Sequence, residues 1–193
     1  DSVGESVQTL LSSDLFRVYR SEDVTGVELG GALKNVIAIG AGFIDGAGLG
    51  DNAKAAFVTR GLHEITRLGV AMGASPDTFA GLSGMGDLVA TCYSTLSRNY
   101  RLGIGISSGK DLESVLADLG QTAEGVPTTR ATVRLAAELG IEMPIATDRK
   151  SVVQGKSVDL GGRRIIKKKK KKRTPTAPLP PAKVPHRATT PPR

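Results

Sequence analysis

The chain has 193 residues, a formal charge of +7 and a single cysteine, which allows one domain with an appendage and rules out an internal disulfide. Residues 147–193 hold 15 Lys and Arg against two acids (Asp148 and Asp159), a net +13, while residues 1–146 hold 11 against 17, a net −6. A nucleic-acid argument from charge therefore applies to the C-terminal stretch alone. No run approaches eighteen consecutive apolar residues, so no membrane span is expected. The N-terminus has neither the basic region nor the apolar stretch of a secretory leader; the single cysteine leaves the compartment open, with a reducing cytosol fitting best, and a cytoplasmic protein is expected. It also lacks an initiator methionine, and the sequence reads as starting partway through something longer.

Residues 1–14 read as a short helix. Leu15-Phe-Arg-Val-Tyr19 alternates at period two and reads as a strand whose sheet would lie upstream. From about 24 to 143 the pattern is helical, with seven helices predicted. Val27–Ala41 is almost all apolar, hence a buried helix. Gly40–Gly50 reads as a glycine-rich loop. Asp51 or Asn52 can cap a long helix ending near Gly73, with Phe57, Ile65, Leu68 and Met72 on its apolar stripe. Ser75-Pro76-Asp77 is a helix start. Short helices follow at 86–93 and 97–107. Asp111–Leu119 and Pro127–Leu139 complete the set, each ended by a glycine, Gly120 and Gly140. Periodicity stops at Thr147.

Chemistry concentrates at a few places. In Gly26-Val-Glu-Leu-Gly-Gly-Ala-Leu-Lys-Asn35 a lone lysine, Lys34, sits on an apolar helix. Burial would be costly and would lower its pKa, as a proton-transferring lysine needs; snorkelling off a core helix is the ordinary alternative. In Gly84-Met-Gly-Asp-Leu88, Asp87 stands at a helix start with Thr91 four residues on, and an N-cap carboxylate is the plainer reading. Ser97-Arg98-Asn99 opens a helix and suits an anion such as phosphate, although Ser97 as a cap and Arg98 on a solvated face would produce the same sequence. Glu124, in Gln121-Thr-Ala-Glu-Gly-Val126, could accept hydrogen bonds from a ribose or carboxamide, or be solvated. Gly46-Ala-Gly-Leu-Gly50 follows a helix rather than a strand and so fails as a dinucleotide fingerprint. Gly155-Lys156-Ser157 lacks the earlier glycine of a phosphate loop, position 150 being Lys. His63 and His186 have no Cys or His neighbours at metal spacing, and no metal is expected. Cys92 has no base near it in sequence and reads as a buried structural thiol.

Taken in order, residues 15–146 resemble the C-terminal part of the bacterial-type NAD(P)-dependent glycerol-3-phosphate dehydrogenases. The resemblance rests on Phe16-Arg-Val-Tyr, Gly26 to Val36, Gly48-Leu-Gly-Asp-Asn-Ala-Lys-Ala-Ala, Thr59-Arg-Gly-Leu, Gly84-Met-Gly-Asp-Leu, Leu96-Ser-Arg-Asn, Ala123-Glu-Gly-Val and Met143-Pro-Ile. It implies an all-α domain of the 6-phosphogluconate-dehydrogenase-like type over 23–146. Residues 1–22 would be the remnant helix and strand of an upstream Rossmann domain, and 147–193 a disordered tail. It implies hydride transfer between NAD or NADP and dihydroxyacetone phosphate or sn-glycerol 3-phosphate, for glycerophospholipid synthesis. By position it implies Lys34 as proton acceptor. Asp87, Ser97, Arg98 and Asn99, with Lys34, would bind substrate, Asn35 and Thr91 falling on further substrate-side positions. Arg98, Thr122 and Glu124 would contact cofactor, Thr122 replacing the usual Val or Ile. A homodimer is common in the family, and neither nucleic acid nor membrane is an implied partner. With the glycine-rich pyrophosphate turn outside the sequence, residues 1–193 alone are expected to be inactive.

Asp148–Lys172 reads as a translated short-read sequencing adapter: Asp-Arg-Lys-Ser-Val-Val, a stop codon at the position of Gln154, Gly-Lys-Ser-Val-Asp-Leu-Gly-Gly-Arg-Arg-Ile-Ile, then lysines from an A-run. The competing reading is a helical interaction module with a basic, nucleic-acid-binding arm.

Overall fold

A computed structural model describes residues 2–120 and 122–153, with side chains to residue 148. The lysine run and the proline-rich stretch, with the nucleic-acid reading attached to them, lie outside the described residues. So do Gln121 and His186. Of the tail expected to be disordered from 147 and to read as adapter from Asp148, residues 147–153 are described and, against that expectation, continue a helix. All regular structure among the described residues is helical: α1 (Ser2–Leu11), α2 (Val24–Gly46), α3 (Asp51–Ala71), α4 (Pro76–Ala80), α5 (Asp87–Tyr93), α6 (Arg98–Ser107), α7 (Leu112–Leu119), α8 (Gly125–Glu138) and α9 (Pro144–Val153), with a single π turn at Leu82–Gly86 before α5.

The strand expected at Leu15–Tyr19 does not form. A strand needs a partner for its backbone groups, and no neighbouring strand exists among the described residues. Val18 instead bonds to side chains, its carbonyl accepting from Gln8 Nε2 at 2.7 Å and its N–H donating to Ser12 Oγ at 3.3 Å.

Helix α2 is the axis of the fold. Leu33, Val36, Ile37, Ala38, Ile39, Ala41 and Ile44 are all buried on it, and α3, α5, α6, α8 and α9 pack around it. By length and composition it could cross a bilayer, a property that counting unbroken apolar runs misses; here 56% of its apolar window is buried within the fold. The loop expected from Gly40 does not begin until after Gly46. The glycines there serve helix crossing rather than turning. A Cβ at Gly42 would lie 1.9 Å from the Tyr100 carbonyl oxygen, and one at Gly103 would lie 2.0 Å from that of Ile39. The backbones of α2 and α6 therefore touch, and this fixes the start of α6 beside the middle of α2. A second apolar cluster (Ile39, Leu102, Val115, Ala123 and Val126) lies under α7 and the segment leading into α8.

Capping partly departs from expectation. Neither Asp51 nor Asn52 caps α3; Gly50, at φ +87°, is the cap residue. Ser97 and Asp111 do cap, accepting from Tyr100 N at 3.3 Å and Ser114 N at 2.9 Å. Gly120 and Gly140 take the expected positive φ of 64° and 66°. Helix α9 has no counterpart in the sequence periodicity. Its first turn is held by the buried Glu64 carboxylate, which accepts from Ile145 N at 2.9 Å and Ala146 N at 3.3 Å.

Asp23 joins two helix starts. Its Oδ1 accepts from Gly26 N at 2.8 Å, and its Oδ2 from Ser75 N at 2.9 Å and Thr78 Oγ1 at 2.6 Å. The Thr78 hydroxyl and then the Gly26 N–H hold its carboxyl below the usual carboxylate range. A folded-state pKa below that of the unfolded chain gives stabilisation that is present above about pH 4 and lost as the pH falls through the folded value. Asp23→Ala is expected to lower the melting temperature by several degrees at pH 7. The gap from the parent should narrow as thermal melts are taken below about pH 3.

Candidate functional site

The contact between α2 and α6 brings Lys34 and Asn35 opposite Ser97, Arg98 and Asn99. Together with Gly31, Thr91 and Glu124 they line an open cavity of about 540 Å³. Larger in volume is a groove of about 860 Å³ along residues 17–21, α2 and the π turn, but it holds neither Lys34 nor Arg98.

Lys34 is not buried as its apolar helix suggested. It is half-buried, its side chain 23% exposed at the rim of the cavity. Its ammonium pairs with Asp87 Oδ2. This overturns the N-cap reading of Asp87: the residue closes the π turn with its backbone N–H and opens α5, whose N-cap position is Gly86, without a capping bond from its side chain. The π turn sets it there. A Cβ at Gly30 of α2 would lie 2.5 Å from the Ser83 carbonyl oxygen, so the turn lies on the α2 backbone and delivers Asp87 to the lysine one helical turn on. Thr91, on the same face of α5, donates to the Asp87 carbonyl at 2.7 Å.

Ser97, Arg98 and Asn99 begin α6, and the positive end of its dipole favours an anion. Arg98 lies 4.0 Å from the Glu124 carboxylate across the cavity mouth, both side chains largely exposed. Asn99 is buried and both ends of its amide are engaged: Nδ2 donates to Asn35 Oδ1 at 3.0 Å, and Oδ1 accepts from Gly125 N at 2.9 Å. It thus ties α2, α6 and the start of α8 together and holds Glu124 at the rim. Asn35 itself lines the cavity. Thr122 is exposed and does not line the cavity.

Sequence reasoning missed one cluster behind this site. Lys54 of α3 is buried. Its ammonium pairs with Asp45 Oδ2 at 2.5 Å and lies 3.9 Å from the centre of the Tyr93 ring and 4.9 Å from that of Tyr100. The Tyr100 hydroxyl donates to the same Asp45 oxygen at 2.6 Å. Burial works against the Asp45 charge, but the hydrogen bonds from Lys54 and Tyr100 outweigh it and hold the carboxyl below its usual range. The bond to Asp45, with burial, pushes the Tyr100 hydroxyl up to about 12. Cys92 is fully buried, and burial raises its thiol to about 12 against the opposing Lys54 charge, so it is no nucleophile at neutral pH.

Comparison with known proteins places this arrangement. The family model described as the NAD-dependent glycerol-3-phosphate dehydrogenase C-terminus matches residues 23–159, carrying past Ala146, where the sequence resemblance ends. The chain is 59% identical over 145 residues, 75% of its length, to a glycerol-3-phosphate dehydrogenase [NAD(P)+] of Citrifermentans bemidjiense, covering 43% of that protein. It is 53% identical over 155 residues to the Synechocystis protein of the same name, covering 80% of this chain and 49% of that one. The crystal structure of glycerol-3-phosphate dehydrogenase from Coxiella burnetii superposes at a TM-score of 0.76 and 39% identity over 80% of this chain and 47% of the other. That of the Saccharomyces cerevisiae enzyme superposes at 0.69 and 32% identity over 78% and 44%. The chain thus spans less than half the length of these relatives, and none of the matches supports a stand-alone interaction module. By its helical architecture and by these matches, the chain belongs to the glycerol-3-phosphate dehydrogenase family, of which it represents the C-terminal part.

Proposed function

We propose that this chain is the substrate-binding part of an enzyme that interconverts sn-glycerol 3-phosphate and dihydroxyacetone phosphate, with NAD or NADP as the electron carrier. The observation that carries the reading is one open cavity with an amine on one wall and an arginine at a helix N-terminus on the other. Such a pair suits a small molecule with an alcohol at one end and a phosphate at the other.

Each residue then has a role. Lys34 Nζ takes the proton from the C2 hydroxyl in oxidation and returns it to the ketone oxygen in reduction, where its charge also stabilises the developing alkoxide. Asp87 holds the amine toward the cavity. Ser97, Arg98 and Asn99 present the α6 N-terminus to the phosphate, Arg98 in bidentate fashion. Asn35 and Thr91 line the substrate side between these ends. The carrier fits at the rim, where Arg98 meets its negative charge and the Glu124 carboxylate accepts hydrogen bonds from its hydroxyl or amide groups, with Thr122 beside them. Bound there, the nicotinamide supplies hydride chemistry that no side chain can. The whole enzyme would serve glycerophospholipid synthesis as a cytoplasmic homodimer, without nucleic acid or membrane as partner.

The test is a chimera: the N-terminal part of the Citrifermentans bemidjiense relative joined ahead of residue 23 of this chain. It is expected to oxidise NADH or NADPH in the presence of dihydroxyacetone phosphate, measured by absorbance. Residues 1–193 alone are expected to give no turnover. A folded chimera that consumes no reduced carrier with this substrate contradicts the assignment.

A further inference from the structure

Helix α2 contains six glycines, and five have a packing reason. A Cβ at Gly26, Gly30, Gly40, Gly42 or Gly46 would lie 1.9–2.5 Å from a neighbouring atom of the protein. Gly31 differs: a Cβ there would meet nothing within 4 Å. Its φ is not positive either, so no backbone conformation calls for glycine. In mid-helix a glycine is about 1 kcal/mol less favourable than alanine. Nothing within the described structure offsets that cost.

Gly31 lines the cavity of Lys34, Asn35 and Arg98. A helical side chain leans over the turn preceding its own Cα. Lys34 lies three residues on, on the same face of α2 as Gly31, but its side chain, paired with Asp87, leaves the space over Gly31 open. A carbon whose oxygen exchanges a proton with Lys34 Nζ would rest against the α2 backbone at Gly31.

We propose that Gly31 is a specificity-determining position: the missing side chain lets the reacting carbon of a phosphorylated three-carbon alcohol or ketone lie in van der Waals contact with the α2 backbone, beside Lys34. The inference rests on the substrate reading of this cavity. It requires stability and substrate recognition to respond to Gly31→Ala in opposite directions. A glycine retained for packing would lose stability on substitution, and an inert one would leave recognition unchanged.

Two measurements test it. In chemical denaturation of residues 1–193, Gly31→Ala should raise the folding equilibrium constant about fivefold, as the helix propensities require. In the chimera, the same substitution should raise the KM for dihydroxyacetone phosphate about tenfold and leave the KM for the reduced carrier unchanged. A destabilised Gly31→Ala chain overturns the inference, as does an unchanged substrate KM or an effect confined to the carrier. A parent chimera without turnover overturns the substrate reading and this inference together, whereas an active parent with an equally effective Gly31→Ala variant overturns this inference alone.

Discussion

Lys34→Ala in the chimera is expected to cut turnover by about a thousandfold or more while leaving the melting temperature within a degree or two of the parent. General acid–base catalysis contributes roughly 10²- to 10⁴-fold, and the ammonium also opposes the charge that develops on the substrate oxygen. The fold should tolerate the loss because the side chain is half-buried at a cavity rim and its ion-pair partner Asp87 is 37% exposed, so water can reach the carboxylate once the amine is gone. Lys34→Arg should not restore activity. A guanidinium keeps its charge in the same place but does not give up its proton in the working pH range. Asp87→Asn should fall between the parent and Lys34→Ala, since an amide can still position the amine without carrying charge. Steady-state kinetics with dihydroxyacetone phosphate, together with thermal melts of the same proteins, separate these effects. If Lys34→Arg retained a tenth or more of the parent turnover, the residue would be acting as a fixed charge and the proton-acceptor role would be wrong.

The helices were legible where local rules decide them. The expected boundaries at 86–93, 97–107 and 111–119 lie within a residue or two of α5, α6 and α7, because Ser97 and Asp111 cap and Gly120 ends its helix by backbone conformation. The order of residues along α2, α5 and α6 also pointed to one site, since their contacts require only that three helix segments meet. What sequence patterns could not supply was the third dimension. Glycine at 40, 42 and 46 looks like a loop unless it is known that Phe57, Tyr100 and Ser107 press on those positions. Helix α9 is anchored by Glu64, 81 residues earlier in the chain, and no window on the sequence sees that bond. The two lysines show the limit most clearly. Lys34, on the apolar helix, drew the burial argument and is half-buried; Lys54, on a helix of mixed composition, is the buried one. Flanking apolar content reports the environment of the helix. The depth of one side chain depends on which neighbours lie across from it, here Asp45, Tyr93 and Tyr100.

Lys54→Ala is expected to destabilise the fold by about 3 kcal/mol or more, the range for removing one partner of a buried ion pair. The comparison that gives this meaning is Lys110, which meets Asp118 at the same 2.5 Å but with both side chains more than half exposed. Exposed pairs contribute about 0 to 1 kcal/mol, so Lys110→Ala should barely move the unfolding curve. Distance is equal in the two pairs; desolvation and the two tyrosine rings are not. A desolvated ammonium over an aromatic face gains about 2 kcal/mol, and Lys54 has two such faces. Its removal also leaves Asp45 with the Tyr100 hydroxyl as its remaining side-chain donor. The difference should depend on pH in a defined direction. Because Asp45 titrates below its usual range in the folded chain, its share of the stabilisation is complete above about pH 4 and lost as the pH falls through the folded value. The penalty for Lys54→Ala should accordingly shrink in acid, while that for a purely apolar cavity would not. Urea denaturation of the parent, Lys54→Ala and Lys110→Ala at pH 7 and pH 3 measures both points. Equal midpoints for the two variants at pH 7 would show that the Lys54 pair adds no more than a surface contact. A pH-independent penalty would assign the loss to packing of the lysine stem rather than to its charge. The cluster joins the two helices that carry the proposed site: Tyr100 follows Arg98 and Asn99 on α6 and bonds to Asp45 near the end of α2. The bond from Tyr100 to Asp45 thus adds to the close backbone contact between α2 and α6, the crossing that brings Lys34 and Arg98 to the same cavity.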